Sequence, residues 1–235
     1  METEELPIQT TNSTVKHIVR ILNVEDVTYN VKRFVTEKPK GYVFIPGQAT
    51  DVAINKTGLE DKLRPFTFTS LNDWGYLEFT IKIYKGHDGI TEKMASLKTG
   101  DELIIHEVFG TIQYKGSGVF IAGGAGITPF ISIFRQLKLD DQLEGNTLLF
   151  ANHNENDIIC KAELSYLLGE NCVNILKTPL DPNIKSGIID TQLLAAYSGN
   201  KESYWYICGP EAFTFAMMAN LEELGVRKQR IVIEQ

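Results

Sequence analysis

A glycine-rich turn between an apolar segment and a helical pattern restricts the fold of this chain more than any other sequence feature. Residues 119–122 form the apolar run, Gly123-Gly124-Ala125-Gly126 follows it, and residues 129–139 repeat with a helical period. Glycines allow a sharp turn and a close approach of the backbone to a pyrophosphate, and a helix start offers unpaired N–H groups to an anion. The pattern predicts a strand–turn–helix unit suited to a phosphate ligand, although a tight turn without any ligand is also compatible with it.

The rest of the second half repeats this alternation of strands and helices. Short apolar runs predict further strands at residues 147–151, Cys172–Leu176, Tyr204–Cys208 and Ile231–Ile233, and helical patterns lie at Lys161–Leu168, 191–197 and 211–224. Buried-type strands that alternate with helices are typical of βαβ units. We therefore expect an α/β fold with a five-stranded parallel sheet.

The first half has a different pattern, typical of antiparallel β-structure. Its six short segments are rich in Val, Ile, Thr, Tyr or Phe and are bounded by turn residues: 15–24, 28–35, 49–54, 64–70, 76–84 and 102–108. One short helix is predicted at residues 91–97. Six such strands predict an antiparallel β-barrel or sandwich. We divide the chain into a β-barrel domain over residues 1–114 and an α/β domain over residues 115–235.

Composition excludes several classes of protein. The net charge of −7 argues against nucleic acid as a partner and against binding to an anionic membrane by charge. The acidic N-terminus is unlike a signal peptide, and no apolar run reaches the ~18 residues of a membrane span, so we expect a cytoplasmic protein. The cysteines and histidines are scattered without ligand spacing, so we expect no metal site and interpret the histidines as structural or surface residues. They are Cys160, Cys172 and Cys208, and His17, His87, His106 and His153.

Two further segments have side chains suited to a nucleotide or a heterocycle. In Arg64-Pro65-Phe66-Thr67-Phe68-Thr69-Ser70, a guanidinium suits a phosphate, an aromatic ring suits a flat heterocycle and a hydroxyl can bond a ring nitrogen. Cys208-Gly209-Pro210 ends a predicted parallel strand, and the carboxyl ends of such strands line the ligand crevice. Each segment alone is also compatible with an ordinary strand end.

Taken together, these motifs resemble the ferredoxin–NADP reductase superfamily, and most closely its flavodoxin/ferredoxin reductase-like members, which bind FAD and NAD(P) and lack an iron–sulfur domain. The resemblance covers nearly the whole chain, and its matching segments occur in the family's order. Residues 44–48 are similar to the turn that precedes the flavin motif, residues 64–70 to the flavin motif, residues 88–91 to the pyrophosphate turn, and residues 123–129 and 208–210 to the two nicotinamide-nucleotide motifs. The resemblance implies an NAD(P)H-dependent flavoprotein reductase that passes hydride to bound FAD and then electrons to a separate acceptor such as flavodoxin or ferredoxin.

The resemblance also implies roles for single residues. Thr67 would hydrogen-bond flavin N5, Cys208 would lie near nicotinamide C4, and Glu234 resembles an acidic residue that many members have close to the flavin. The implied cofactor-binding residues are Arg64, Pro65, Phe66, Thr67 and Ser70 for the flavin, Gly89, Ile90 and Thr91 for its phosphates, and Gly124, Gly126, Ile127, Thr128, Pro129, Cys208, Gly209 and Pro210 for NAD(P)H.

Two positions depart from the family pattern. Phe66 stands where the family has a tyrosine, so a hydroxyl contact is lost. The sequence stops at Gln235, one position before the aromatic residue that many members stack on the flavin, so we expect a more open nicotinamide face.

Three alternatives stay open at this point. Around residues 152–161 only His153 and Lys161 are basic, and Glu155 and Asp157 oppose them, which favours NADH over NADPH. FAD is expected rather than FMN. A diaphorase that reduces free flavin, quinone or dye, or a non-catalytic nucleotide-binding module, is also compatible with the sequence.

Overall fold

The computed structural model describes residues 15–86 and 88–234, so the acidic N-terminus, His87 and Gln235 lie outside the described residues. Two sheets dominate the structure, a six-stranded antiparallel sheet in the first half and a five-stranded parallel sheet in the second. The predicted six-stranded antiparallel sheet and five-stranded parallel sheet are confirmed, whereas closure of the first sheet into a barrel stays a prediction. The domain boundary at residue 114 stays a prediction. No helix among the described residues is long and apolar enough to cross a membrane.

The antiparallel sheet has the strand order β4-β3-β6-β1-β2-β5. Phe34, Phe68 and Phe79 are fully buried in its core, where the side-chain alternation of the strands places them. β4 and β5 lie at the two ends of this order and do not pair as strands. A single bridge between Phe68 and Phe79 links them. The elements are β1 (His17–Thr28), β2 (Val31–Glu37), β3 (Ala49–Ile54), β4 (Arg64–Thr67), β5 (Tyr76–Lys82), the short helix α1 (Ile90–Met94) and β6 (Glu102–Phe109).

β4 is shorter than the sequence pattern predicts, because the chain changes its partner strand after Thr67. Residues up to Thr67 pair with β3, whereas the N–H of Thr69 donates to the carbonyl of Glu78 on β5 at 2.8 Å. Ser70 Oγ then accepts from the Glu78 N–H at 3.0 Å. Phe68, Thr69 and Ser70 are consequently all buried, and the expected alternation of faces ends at Thr67.

The parallel sheet has the strand order β11-β10-β7-β8-β9 and is covered by helices on both faces. Phe120, Phe134 and Phe150 pack in one core with α2 and α3, whereas Ile121 and Trp205 belong to the core on the opposite face. The chain leaves β7 towards β8 and later crosses to β10 on the other side, so a crevice forms at the carboxyl ends of these strands. The elements are β7 (Gly118–Gly123), α2 (Thr128–Leu139), β8 (Thr147–Asn152), α3 (Lys161–Leu168), β9 (Cys172–Leu176), α4 (Thr191–Ala195), β10 (Tyr204–Cys208), α5 (Glu211–Glu223) and β11 (Ile231–Ile233).

Candidate functional site

A cleft of about 710 Å³ lies at this crevice, between the parallel sheet and the strand ends of the antiparallel sheet. The first half contributes Thr67 from the end of β4, Lys82 from the end of β5 and Tyr84, two residues after it. The second half contributes the glycine turn, the ends of β8 and β9, and the start of α5. Residues that are remote in sequence therefore line one cavity large enough for a small-molecule ligand.

The glycine turn and the segment after β10 touch each other at the cleft. A Cβ atom built on Gly126 would lie 2.2 Å from the carbonyl oxygen of Cys208 and 2.6 Å from the nitrogen of Gly209, so only glycine fits there. Gly124 has a φ of +53°, a left-handed conformation that favours glycine, and its Cβ position is open. Thr128 Oγ1 donates to the carbonyl of Ala125 at 3.1 Å and fixes the turn to the start of α2. These contacts bring backbone from both predicted nucleotide motifs to one place.

The wall on the α5 side is aromatic and tightly packed. A Cβ on Gly123 would lie 2.9 Å from the ring of Phe213, and one on Gly209 would lie 2.6 Å from the same ring. Phe213 also lines the cleft. The two glycines thus let the Phe213 ring approach the backbone of both motifs.

Two ionisable groups in the cleft have raised pKa values. Burial raises the pKa of the Cys208 thiol to about 12, and the nearby negative charge of Glu234 adds to this effect. Burial also raises the pKa of Glu234 itself. Both residues line the cleft, and Cys208 is therefore a neutral thiol near pH 7.

Asn152, at the end of β8, is a buried polar residue that lacks partners. Its side chain is 9% exposed, and neither its amide nitrogen nor its amide oxygen has a hydrogen-bond partner among the described residues. It lines the cleft. Buried amides are almost always satisfied in folded proteins, so these two atoms suggest a site for a polar ligand.

The loops after β8 and β9 differ from the arrangement that the sequence suggested. His153 lines the cleft, and its Nε2 lies 3.0 Å from Thr178 Oγ1. Lys177 also lines the cleft, and no ion pair involves it among the residues described. Lys161 is exposed at the start of α3 and is not among the lining residues. Lys177, which sequence reasoning missed, is thus the lysine that this part of the cleft presents.

The two acidic residues of this region are engaged by other groups. Both carboxylate oxygens of Glu155 accept backbone N–H groups, from Leu180 at 2.8 Å and from Asp181 at 3.1 Å. Asp157 lines the cleft but accepts from the hydroxyl of Tyr29 at 2.8 Å and from a backbone N–H at 3.2 Å. These neutral donors orient the two carboxylates and do not cancel their negative charge, so both still oppose a phosphate.

The predicted site residues fall into two groups. Those that line the cleft are Thr67, Gly124, Gly126, Thr128, Cys208, Gly209, Pro210 and Glu234. Those outside its lining are Arg64 and Pro65, which are exposed, Phe66, which packs against the core of the antiparallel sheet, Ser70, Ile127 and Pro129, which are buried, and Gly89, Ile90 and Thr91, at the start of α1.

Lys82, Tyr84, Asn152, Lys177 and Phe213 line the cleft although sequence reasoning did not select them. Lys82 and Tyr84 are alternate residues of the predicted strand segment 76–84, and strand alternation could have placed them on one face, although β5 itself ends at Lys82. Lys177 directly follows the predicted strand Cys172–Leu176, so the rule that carboxyl ends of parallel strands line the crevice could have selected it.

Known proteins are similar to this chain in sequence and in fold. A family model described as the oxidoreductase NAD-binding domain matches residues 120–219. The chain is 30% identical to NADH-cytochrome b5 reductase 1 of Aspergillus clavatus over 234 residues, which cover 88% of this chain and 74% of the relative. It is 25% identical to NADH-cytochrome b5 reductase 3 of Mus musculus over 261 residues, with 93% and 86% covered.

Two solved structures are similar over almost the whole chain. The CS-b5R domains of human Ncb5or in the NAD+ form have a TM-score of 0.81 and 25% identity, with 96% of this chain and 71% of that chain covered. The ferredoxin NADP+ reductase from Neisseria gonorrhoeae with bound FAD and NADP has a TM-score of 0.79 and 19% identity, with 93% and 97% covered, which shows the shared fold.

Proposed function

Since this chain belongs to the ferredoxin–NADP reductase superfamily, we propose that it moves reducing equivalents from NAD(P)H through a bound FAD to a separate electron-carrier protein. It is an NAD(P)H-dependent flavoprotein oxidoreductase. One observation of the structure supports the proposal above all. Thr67 of the antiparallel sheet lines the same cleft as the glycine turn and Cys208 of the parallel sheet.

The nucleotide side of the cleft fits a dinucleotide. Gly126 and Gly209 bring two backbone segments together without any Cβ between them, and this leaves room for a pyrophosphate against the turn. The unpartnered amide of Asn152 offers one donor group and one acceptor to a ligand such as a ribose. We propose NADH as the reductant, because the curated relatives described above are named as NADH reductases.

The flavin side is supported by residues that the structure leaves free for a ligand. The guanidinium of Arg64 is exposed, donates to the carbonyl of Leu63, and forms no ion pair within the described part of the chain. The first turn of α1 begins at Gly89 without a side-chain cap. We propose that Arg64 and residues 89–91 hold the flavin phosphates and that Thr67 contacts the flavin ring.

FAD, when bound, supplies the reactive chemistry, which is acceptance of hydride from nicotinamide C4 and release of electrons one at a time. The residues of this chain would bind FAD and the nicotinamide, orient their rings and exclude water from between them. Thr67 holds a hydroxyl where the ring would lie, and Cys208 places a neutral thiol where the nicotinamide would lie. An uncharged group there avoids a negative charge beside the reacting atoms. Holding two reactants at close distance can remove ~7–11 kcal/mol of the barrier.

The acceptor that we propose is a one-electron protein carrier, of the flavodoxin, ferredoxin or cytochrome b5 kind. The names of the curated relatives include cytochrome b5, and this is the support for a haem carrier. Purified carriers of the three kinds and free FMN are to be compared as acceptors. Turnover with a protein carrier above that with free FMN is expected. Turnover with free FMN alone would instead assign a diaphorase.

The decisive experiment is an anaerobic titration of the FAD-reconstituted protein with NADH and, separately, with NADPH, while the flavin absorbance is followed. We expect bleaching with NADH at about one equivalent. On rapid mixing with NADH, Thr67→Ala should lower the rate of flavin bleaching, because it removes the hydroxyl from the cleft. The matched control Thr57→Ala, in an exposed turn, should not. A protein that binds no FAD, or whose flavin neither nucleotide reduces, contradicts the proposal.

A further inference from the structure

The guanidinium of Arg135, on α2, is the centre of a buried hydrogen-bond cluster between the two halves of the chain. Its side chain is only 11% exposed. It donates from Nε and Nη2 to the two carboxylate oxygens of Glu163 on α3, at 2.5 and 2.9 Å. From Nη1 it donates to the carbonyl of Thr69 at 2.7 Å and to Glu78 Oε1 on β5 at 2.6 Å. The planar fork of the guanidinium therefore joins three separate elements.

In the first half, the groups that accept hydrogen bonds from Arg135 are the carbonyl of Thr69, in the segment that follows Thr67, and the carboxylate of Glu78. Glu78 is 5% exposed, and its Oε1 also accepts from Thr69 Oγ1 at 2.7 Å. Thr69 is thus held through its backbone carbonyl by Arg135 and through its hydroxyl by Glu78. Thr67 lies two residues earlier and lines the cleft. A movement of Thr69 would be transmitted to Thr67 because the intervening Phe68 is fully buried.

A second hydrogen bond of α2 leads, through the turn at Gly47 and Gln48, to the same backbone segment around Phe68. Ser132, one helical turn before Arg135, accepts at its Oγ from the Gly47 N–H at 3.1 Å. The neighbouring Gln48 accepts at its carbonyl from the Phe68 N–H at 3.0 Å. Gly47 fits here because it has no Cβ, which would lie 2.3 Å from the carbonyl oxygen of Ile112, between β6 and β7, and 3.2 Å from Ile133 Cδ1 on α2. Both contacts of α2 thus converge on the backbone around Phe68.

The other end of α2 lies at the nucleotide turn. The helix begins at Thr128, which lines the cleft and donates to Ala125. Arg135 lies seven residues further, about 10 Å along the helix axis. A rigid helix with one end at the glycine turn and the other fixed to the Thr67 segment sets the distance between them.

We propose that Arg135 is a positioning residue, which fixes Thr67 relative to the glycine turn and so sets the separation of the two rings that react. The inference rests on the proposed function for the identity of those rings. A fold-stabilising ion pair would need only its carboxylate partners, here Glu163 and Glu78. Arg135 instead uses four directed N–H bonds, one of them to a neutral carbonyl beside the cleft segment.

Arg135→Lys separates geometry from charge, because lysine keeps the positive charge and loses the fork. The matched control is Leu137→Val, a conservative change in a buried residue of the same helix, which perturbs packing without touching Thr69. A second variant, Glu163→Gln, keeps Arg135 and weakens only the group that orients it. It provides the test if Arg135→Lys fails to fold.

Two measurements are needed, and the first requires no flavin. Hydrogen exchange of the flavin-free protein should show the amides of Phe68 and Thr69 exchanging about tenfold faster in Arg135→Lys than in Leu137→Val. In FAD-reconstituted protein, rapid-mixing reduction with NADH should show a limiting rate lowered about tenfold or more, with the NADH dissociation constant changed less than about twofold.

The outcomes distinguish this inference from the proposed function. Unchanged exchange at residues 68 and 69, or faster exchange with a limiting rate equal to that of Leu137→Val, overturns the positioning role. A wild-type protein whose flavin NADH does not reduce overturns the proposed function, and the exchange experiment then still decides whether Arg135 holds the segment.

Discussion

Replacement of Gly126 by alanine is the sharpest test of the contact between the two nucleotide motifs. The added methyl group would lie 2.2 Å from the Cys208 carbonyl oxygen and 2.4 Å from its carbon, both of them backbone atoms. Ordinary contact begins at 3.4 Å, so one of the two segments must move by about 1.2 Å. Neither moves easily, because Cys208 is paired with Ala122 across the sheet and the turn is fixed to α2.

The cost can be estimated from this overlap. Forcing an extra carbon into a packed site costs ~1–3 kcal/mol, and the smaller entropy of the unfolded alanine chain returns ~0.4–1 kcal/mol. We expect a net loss of about 1–2 kcal/mol in the free energy of unfolding. The effect on reaction should be larger, because a displacement of about 1 Å near reacting groups can lower a rate about 100-fold.

The assay is denaturant unfolding, compared with two matched variants, together with rapid-mixing reduction by NADH, compared with the wild type. Gly89→Ala has an ordinary φ of −81° and an open Cβ position, so it should resemble the wild type in unfolding. Gly124→Ala has an open Cβ position but a φ of +53°, and it should cost ~1–2 kcal/mol through strain alone. If Gly126→Ala unfolds like Gly89→Ala and is reduced at the wild-type rate, the reasoning about this contact is wrong.

Three further predictions concern single side chains. Cys208 has a folded-state pKa of about 12 against an ordinary value of 9.0, so above pH 9 only the unfolded chain loses this proton. Unfolding free energy should therefore fall by up to ~1.4 kcal/mol per pH unit as the pH rises above 9, and Cys208→Ser should lack this component; equal pH dependence of both proteins contradicts it. Arg64→Ala should weaken FAD binding by ~1.5–3 kcal/mol without a change in the unfolding of flavin-free protein, whereas Lys201→Ala, in an exposed turn, should leave FAD affinity unchanged. Unchanged FAD affinity of Arg64→Ala in a calorimetric titration counts against the assignment. Lys177→Ala should weaken NADPH binding about fivefold more than NADH binding, since Lys177 lines the cleft and forms no ion pair among the described residues; equal losses would exclude it as a discriminator.

The strands and helices were largely predictable, and the turns that end them less so. Short β-rich segments between turn residues predicted the strands of the antiparallel sheet, and short apolar runs that alternate with helical patterns predicted those of the parallel sheet, because both patterns follow local burial. The segment after Thr67 was the exception. There the chain leaves β3 for β5, and three consecutive residues are buried by contacts with Glu78 that no local pattern records.

The part of the candidate site that glycine-rich turns form could be predicted from the sequence. The glycines at positions 124 and 126 and the corner at Cys208 were chosen from the sequence, and all of them line the cleft. Asn152 and Lys177 directly follow predicted strands, but the sequence alone does not show that the amide of Asn152 lacks partners or that Lys177 lines the cleft. Their importance comes from an amide left without partners and from a strand neighbour that brings a cation to the lining.

The sequence by itself determined the order of strands and helices and the glycine positions at the turn, because each of these follows from residues within a few positions of one another. Only the tertiary structure decided which faces meet. Arg135 and Thr69 are 66 residues apart, and no local pattern in either segment predicts that the guanidinium donates to that carbonyl. Contacts of this kind depend on how whole elements pack, since a side chain's partner is set by the geometry of two backbones at once.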